Sequence, residues 1–178
     1  MANLVVKGVG KMELSKTERL MLINQFEILE QTNPQDSYYR EGRKILESGY
    51  KVLYSEIFDR LYEEMSVEDG KFVIDALLMY RNLLDAYENL EDKGGLDKTD
   101  IKFKGFDGNE ETKHYAFTNF FINDFNRFSE FSENRYGEFN THSQMIPKYR
   151  RMLEVWEQIA EKYERSLTLE QIKKIINA

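Results

Sequence analysis

Residues 114–131 read HYAFTNFFINDFNRFSEF. Phe117, Phe121, Phe128 and Phe131 recur at helical spacing, so one amphipathic helix should carry these rings along a single face. Water does not leave such a face bare; it must pack against the rest of the chain or against a partner. Asp124 projects between Phe117 and Phe131, and Arg127 lies one turn on at the edge of the same face. A buried carboxylate needs a cation, so Arg127 or another cation is expected to pair with Asp124, as a structural ion pair or as a ligand-facing pair in an aromatic-lined pocket.

Outward from this stretch, capping signals divide the chain into helices. Ser15 with Glu18 reads as a capping box that opens a helix near 16–31. Asn33 and Pro34 read as N-cap and first position of a second helix, and Gly49 as its stop. A third is expected over about 50–64, carrying Leu53, Tyr54, Ile57 and Leu61. Ser66 with Asp69 opens a fourth that runs to Lys93-Gly94-Gly95. Residues 96–108 read as irregular, the aromatic helix starts near Asn109 and Thr112 and fades near Gly137, a long helix spans 144–165, and Thr168 with Gln171 opens a short last one.

On the fourth helix Val73, Leu77, Tyr80, Leu84 and Tyr87 form a seam, with Asp75, Asn82 and Asp85 opposite. On the 144–165 helix the seam is Met145, Tyr149, Met152, Trp156, Ile159 and Tyr163, the spacing that bundle helices show one another. The expected fold is all-α: a single compact bundle-like domain of about seven helices over 12–178, preceded by an extended or disordered arm at 1–11.

Composition narrows function mainly by exclusion. At 178 residues the chain can bury roughly 70% of its unfolded surface, and 41% hydrophobic with 32% charged residues is ordinary for a globular protein. No apolar run approaches the roughly 20 residues of a membrane helix, and MANLVVKGVGK is too short and too interrupted for a signal peptide. Without Cys there is no disulfide, thiolate nucleophile or thiolate metal site, and the expected location is cytoplasmic. A net charge of −7 argues against duplex nucleic acid as the main partner. Two small basic groups, Lys7, Lys11, Lys16 and Arg19, and Lys148, Arg150 and Arg151, read as solvated surface.

Polar residues inside apolar faces are the remaining candidates for chemistry. Gln25 projects within the face of Met21, Leu22, Phe26, Ile28 and Leu29, where a buried amide must find partners. His114 and His142 lack any companion at metal-ligand spacing, so no metal and no cofactor are expected. Gly94-Gly95 and Gly105-Phe106-Asp107-Gly108 are glycine turns too short for a phosphate cradle.

Several segments together resemble the YfbU family of bacterial proteins. They are Arg19-Leu20 with Asn24-Gln25-Phe26, Tyr39-Arg40 before Gly49-Tyr50, Ile74-Asp75 with Met79-Tyr80, and Phe103-Lys104-Gly105-Phe106-Asp107. Lys148-Tyr149 with Arg151-Met152-Leu153 and Trp156, and the terminal Ile175-Ile176-Asn177-Ala178, complete the match over roughly 12–178. The resemblance implies a compact helical domain of unknown biochemical function. Some members carry a helix-turn-helix domain alongside, which implies ligand sensing or regulation; this chain is expected to lack room for one. Gln25, Asp107, Arg127 and Tyr149 match the family pattern, whereas Asp124, His114 and His142 do not.

The leading expectation is therefore a non-catalytic, ligand- or protein-binding regulatory domain, expected to be a homo-oligomer. Its expected ligand-binding residues are Gln25, Phe106, Asp107, Asp124, Arg127 and Tyr149. The alternatives are a hydrolase-like or other enzyme using Asp107 or Asp124 as general base with Arg127 orienting an anion, and a nucleic-acid-associated regulator acting through the basic N-terminal segment.

Overall fold

A computed structural model describes residues 13–132, 138–159 and 167–178. The expected arm at 1–11, Tyr163, and the far end of the 144–165 helix lie outside the described residues. Among those described there are seven α-helices and no strand, so the all-α expectation holds. Tertiary contacts group the chain into two compact units, 1–64 and 65–178.

The first unit is built on α1 (Lys16–Thr32) and α2 (Ser37–Ser48). Ser15 and Glu18 form the expected capping box. The second helix starts later than Asn33-Pro34 suggests: Asp36 is its N-cap and accepts the Tyr38 N–H at 3.0 Å, while residues 33–35 turn the chain. At its other end Gly49 adopts φ 69°, and Arg19 donates from Nε to the Leu46 carbonyl at 3.0 Å. That contact adds a side-chain donor to a last-turn carbonyl that the Gly49 N–H also reaches, at 3.2 Å. The expected 50–64 helix shrinks to a 3-10 turn, Lys51–Leu53, and α3 (Tyr54–Phe58). Only Tyr54 and Ile57 of that stretch are buried, and Leu61 and Tyr62 are exposed, so nothing holds a longer helix in place.

The second unit is organised around α4 (Val67–Asn89), which touches α5 (Thr112–Asn119), α6 (Ile146–Ile159) and α7 (Leu169–Ile176). With neighbours on several sides, α4 buries more than one seam. Asn82, expected on its outer face, is buried and accepts the Trp156 Nε1–H at 2.9 Å. Asp75, also expected outside, is partly covered and paired with Lys71. The helix stops at Asn89, where Lys93 Nζ donates to the Leu90 carbonyl at 2.6 Å and to that of Tyr87. Along the described part of the expected seam, Tyr149, Met152 and Trp156 of α6 are buried, as is Met145 just before it, while Ile159 is partly buried.

The aromatic stretch is not one rod. Helix α5 continues into a π-helical turn, Phe120–Asp124, and there it ends. Widening the hydrogen-bond step, with the Phe125 N–H on the Phe120 carbonyl at 2.7 Å, shifts the register of the rings. Asn126 (φ 53°) and Phe128 (φ 54°) then reverse the chain before a 3-10 turn, Ser129–Phe131. Burial compensates the left-handed backbone of Phe128, whose ring lies 3.8 Å beneath the Arg81 guanidinium. Phe120 and Phe125 remain about half exposed and stack on each other.

Residues 96–108 form no regular element, yet Leu96, Ile101, Phe103 and Phe106 are core residues. The Phe106 N–H bonds the Phe139 carbonyl at 2.9 Å and the Thr141 N–H bonds the Phe106 carbonyl at 3.1 Å, so this loop is bridged to residues 139–141.

Candidate functional site

Among the described residues, the 96–108 loop lines two concavities of the second unit. One, of about 320 Å³, has apolar walls of Leu84, Ile101, Phe103 and Phe131 and a rim that includes Lys98, Lys102 and Glu130. The other, of about 670 Å³, is polar, and lysines dominate it: Lys102 and Lys104 from the 96–108 loop, Lys148 from α6, and Lys173 from α7. Asp100 is the one carboxylate side chain among its lining residues, and it already accepts the Asp97 N–H at 2.9 Å. Thr99 and Lys102 belong to the walls of both concavities.

Three of the four lysines, Lys104, Lys148 and Lys173, have a structural reason to be there. The Gly94-Gly95 turn, with φ of 53° and 77°, forms the rim. A Cβ on Gly94 would meet Leu169 Cδ2 at 2.3 Å, so the glycine lets the start of α7 pack closely. Lys173, one turn along α7, donates to the Gly94 carbonyl at 2.9 Å and is thereby held at the edge. Lys104 lies in an irregular stretch whose neighbours Phe103, Gly105 and Phe106 are buried, which leaves its own side chain outward. Lys148 precedes the buried Tyr149 and so falls on the flank of α6. Like charges gathered this way repel, and a bound anion relieves that repulsion.

Next in sequence to the cleft-lining Lys102, Lys104 and Lys148, the buried Phe103 and Tyr149 belong to an aromatic cluster. Phe103 stacks on Tyr149 at 5.7 Å between ring centroids, and Tyr80 and Phe106 meet Tyr149 edge-on at 5.5 and 5.4 Å. Burial, and then the neighbouring Tyr80, push the Tyr149 hydroxyl well above the ordinary phenol range, so it stays neutral. That hydroxyl lies near the backbone of Lys104 and Gly105.

The six sequence candidates do not gather at one place. Phe106 and Tyr149 are core residues. Asp107 is buried, and its Oδ1 accepts the Asn109 N–H at 2.8 Å, closing the turn before α5. Gln25 is exposed rather than set in a buried face, because only Leu22, Ile23 and Phe26 of that neighbourhood pack inward. Asp124 is exposed and makes no ion pair among the described residues; the Arg127 guanidinium instead sits 5.4 Å over the Phe125 ring. The chain reversal after Asp124 separates the two, so the expected pair does not form. None of the six lines either concavity.

Sequence reasoning missed Glu111, a buried carboxylate that bonds three backbone N–H groups. Its Oε1 accepts from Met145 at 2.7 Å and Ile146 at 2.8 Å, and its Oε2 from Asp107 at 3.0 Å. It caps α6 from a distance of more than thirty residues, which no local signal announces. His114 sits between the Phe72 and Phe106 rings with Nε2 3.5 Å from Asp69 Oδ1. Burial outweighs the nearby Asp69 and holds its pKa below the ordinary histidine value. His142 is exposed, and its backbone N–H donates to Asn140 Oδ1 at 3.1 Å. Among the described residues no helix is long and apolar enough to cross a membrane, and no group of three or more acidic or histidine side chains is placed to hold a metal ion.

A family model described as the YfbU domain matches residues 12–178. The UPF0304 protein MJECS11 of Methanocaldococcus jannaschii is 40% identical over 171 residues, an alignment covering 93% of this chain and 99% of that protein.

Proposed function

Because the chain belongs to the YfbU family, we propose that it is a regulatory, ligand-binding domain without catalysis of its own, which takes a small anion in the lysine-lined cleft. It works in the cytoplasm, as a homo-oligomer, with residues 12–178 as the functional unit. The observation that carries the ligand reading is the convergence of Lys102, Lys104, Lys148 and Lys173 on one concavity of a chain whose net charge is −7. Its volume, about 670 Å³, falls in the range of small-molecule sites. Among the sequence candidates, Tyr149 and Phe106 serve it indirectly, by fixing the loop that presents Lys104. The absence of cysteine supports the cytoplasmic location.

A thermal-shift comparison tests the anion reading. Phosphate, pyrophosphate and citrate are each titrated against sodium chloride of matched ionic strength. An anion that binds only the folded chain raises its stability by about 2.7 kcal/mol at a hundredfold excess over Kd. The double variant Lys104→Gln with Lys148→Gln should lose that rise while keeping its basal melting temperature. A rise no larger than that from chloride, or one undiminished in the variant, refutes the reading.

A further inference from the structure

Helix α1 packs within its unit through Leu22, Ile23 and Phe26, with Glu30 paired to Arg43 of α2 at 3.0 Å. On nearly the opposite side of the helix lie Leu20, Met21, Ile28 and Leu29, which are 58, 58, 61 and 37% exposed. Asn24 and Gln25 are exposed between them. Exposed Thr17 and Thr32 close the ends of this stripe, whose one charged side chain, although 32% of the chain is charged, is the exposed Glu18 at its N-terminal end. The Glu18 carboxylate is turned back onto the Ser15 N–H and hydroxyl, and Gln31 is its mirror position.

The stripe reads the same from either end. About a midpoint between Asn24 and Gln25, Leu20 mirrors Leu29, Met21 mirrors Ile28, the two amides mirror each other, and Thr17 mirrors Thr32. A two-fold interface must be self-complementary, because both copies offer the same patch. An axis through that midpoint, perpendicular to α1, lays the helix antiparallel on its mate. Apolar then meets apolar, amide meets amide, and hydroxyl meets hydroxyl. Two chains that each carry a charge of −7 repel one another, and a face whose one charge is the Ser15-bound Glu18 is where such a pair comes together at low cost.

We propose that this face of α1 is the docking surface for a second copy of this chain, paired antiparallel about Asn24 and Gln25. The proposal rests on the homo-oligomer part of the reading above and names its surface and register. A 17-residue helix is about 25 Å long, so this contact alone buries less than the roughly 800 Å² per partner of a standard interface, and association is expected to be weak and concentration-dependent.

Sedimentation velocity on the full chain, from about 1 to about 300 µM, reads the outcome. The wild type should pass from monomer to dimer across that range. Met21→Lys combined with Ile28→Lys puts like charges opposite each other and should weaken the dimer at least about tenfold. Met21→Lys combined with Ile28→Glu should recover it, because the antiparallel register sets each new cation against the partner's new carboxylate. These positions are exposed, and circular dichroism should show unchanged folding. A wild type that stays monomeric overturns both this inference and the oligomer reading. A dimer indifferent to the two-lysine variant overturns the surface alone. Dissociation of the opposite-charge variant as complete as that of the two-lysine variant overturns the register.

Discussion

Replacing Glu111 with Ala should destabilise the second unit more than any other single carboxylate substitution in it. Three backbone donors, on Asp107, Met145 and Ile146, lose their acceptor, and Asp107 and Met145 are themselves buried. Hydrogen bonds to a charged group contribute about 1.5–3 kcal/mol each, so three set an upper bound of about 5–9 kcal/mol. Water entering the space left by the side chain recovers part of this, and a net loss of about 4 kcal/mol is expected. For a unit of 114 residues the unfolding entropy is about 0.24 kcal/mol per kelvin, so the melting temperature should fall by about 17 °C. Glu111→Gln is the informative contrast. Its single carbonyl oxygen can still serve Met145 and Ile146, but its amide turns a donor toward the Asp107 N–H, and a loss of about 2 kcal/mol is expected. Urea unfolding followed by the fluorescence of Trp156, the one tryptophan and a buried one, measures both. An Ala variant within about 0.5 kcal/mol of wild type, or a Gln variant less stable than Ala, would refute this role for Glu111.

Two other substitutions probe the same unit. Gly105→Ala should cost at least about 3 kcal/mol, since φ is 93° there and a Cβ would lie 1.9 Å from the Phe139 carbonyl oxygen. Gly95→Ala is its control: φ is 77° but nothing lies within 4 Å, so only the left-handed strain of about 1 kcal/mol remains, and urea midpoints of the two should differ clearly. His114 gives a pH dependence. Its folded pKa lies below the unfolded value of 6.5, so the unfolded chain takes up the proton first as pH falls. Stability is full above 6.5 and is lost as pH drops below it. Melting curves at several pH values should show a steeper acid decline in wild type than in His114→Gln, and equal slopes would refute this.

Local signals were legible in the sequence because their physics is local. The capping boxes at Ser15–Glu18 and Thr168–Gln171, the Ser66 cap and the Gly49 stop all stand where spacing put them. The α6 seam was legible for the same reason: one face, one period. Asn82 misled, because a helix surrounded by others has no outer face for a polar residue to mark. The phenylalanine stretch misled because helical spacing cannot reveal a π turn followed by a reversal. The lysine cleft was illegible for a different reason. Its four lysines are spread over some seventy residues, and only the folded backbone brings the 96–108 loop, α6 and α7 to one concavity. Only Lys148 belonged to a basic group recognisable beforehand.

The bridge between Phe106 and residues 139–141 has a consequence for how the protein can vary. With Glu111 tying the same neighbourhood to the start of α6, everything from α5 through the 3-10 turn at Ser129–Phe131 hangs from a pinned neck, entered and left at adjacent points. The core then has little to lose from a length change at the far tip, where residues 123–127 are all exposed. Grafted epitopes, fluorophores or added residues belong there, between Asp124 and Arg127, whereas the same addition beside Gly105 would unpick the neck itself.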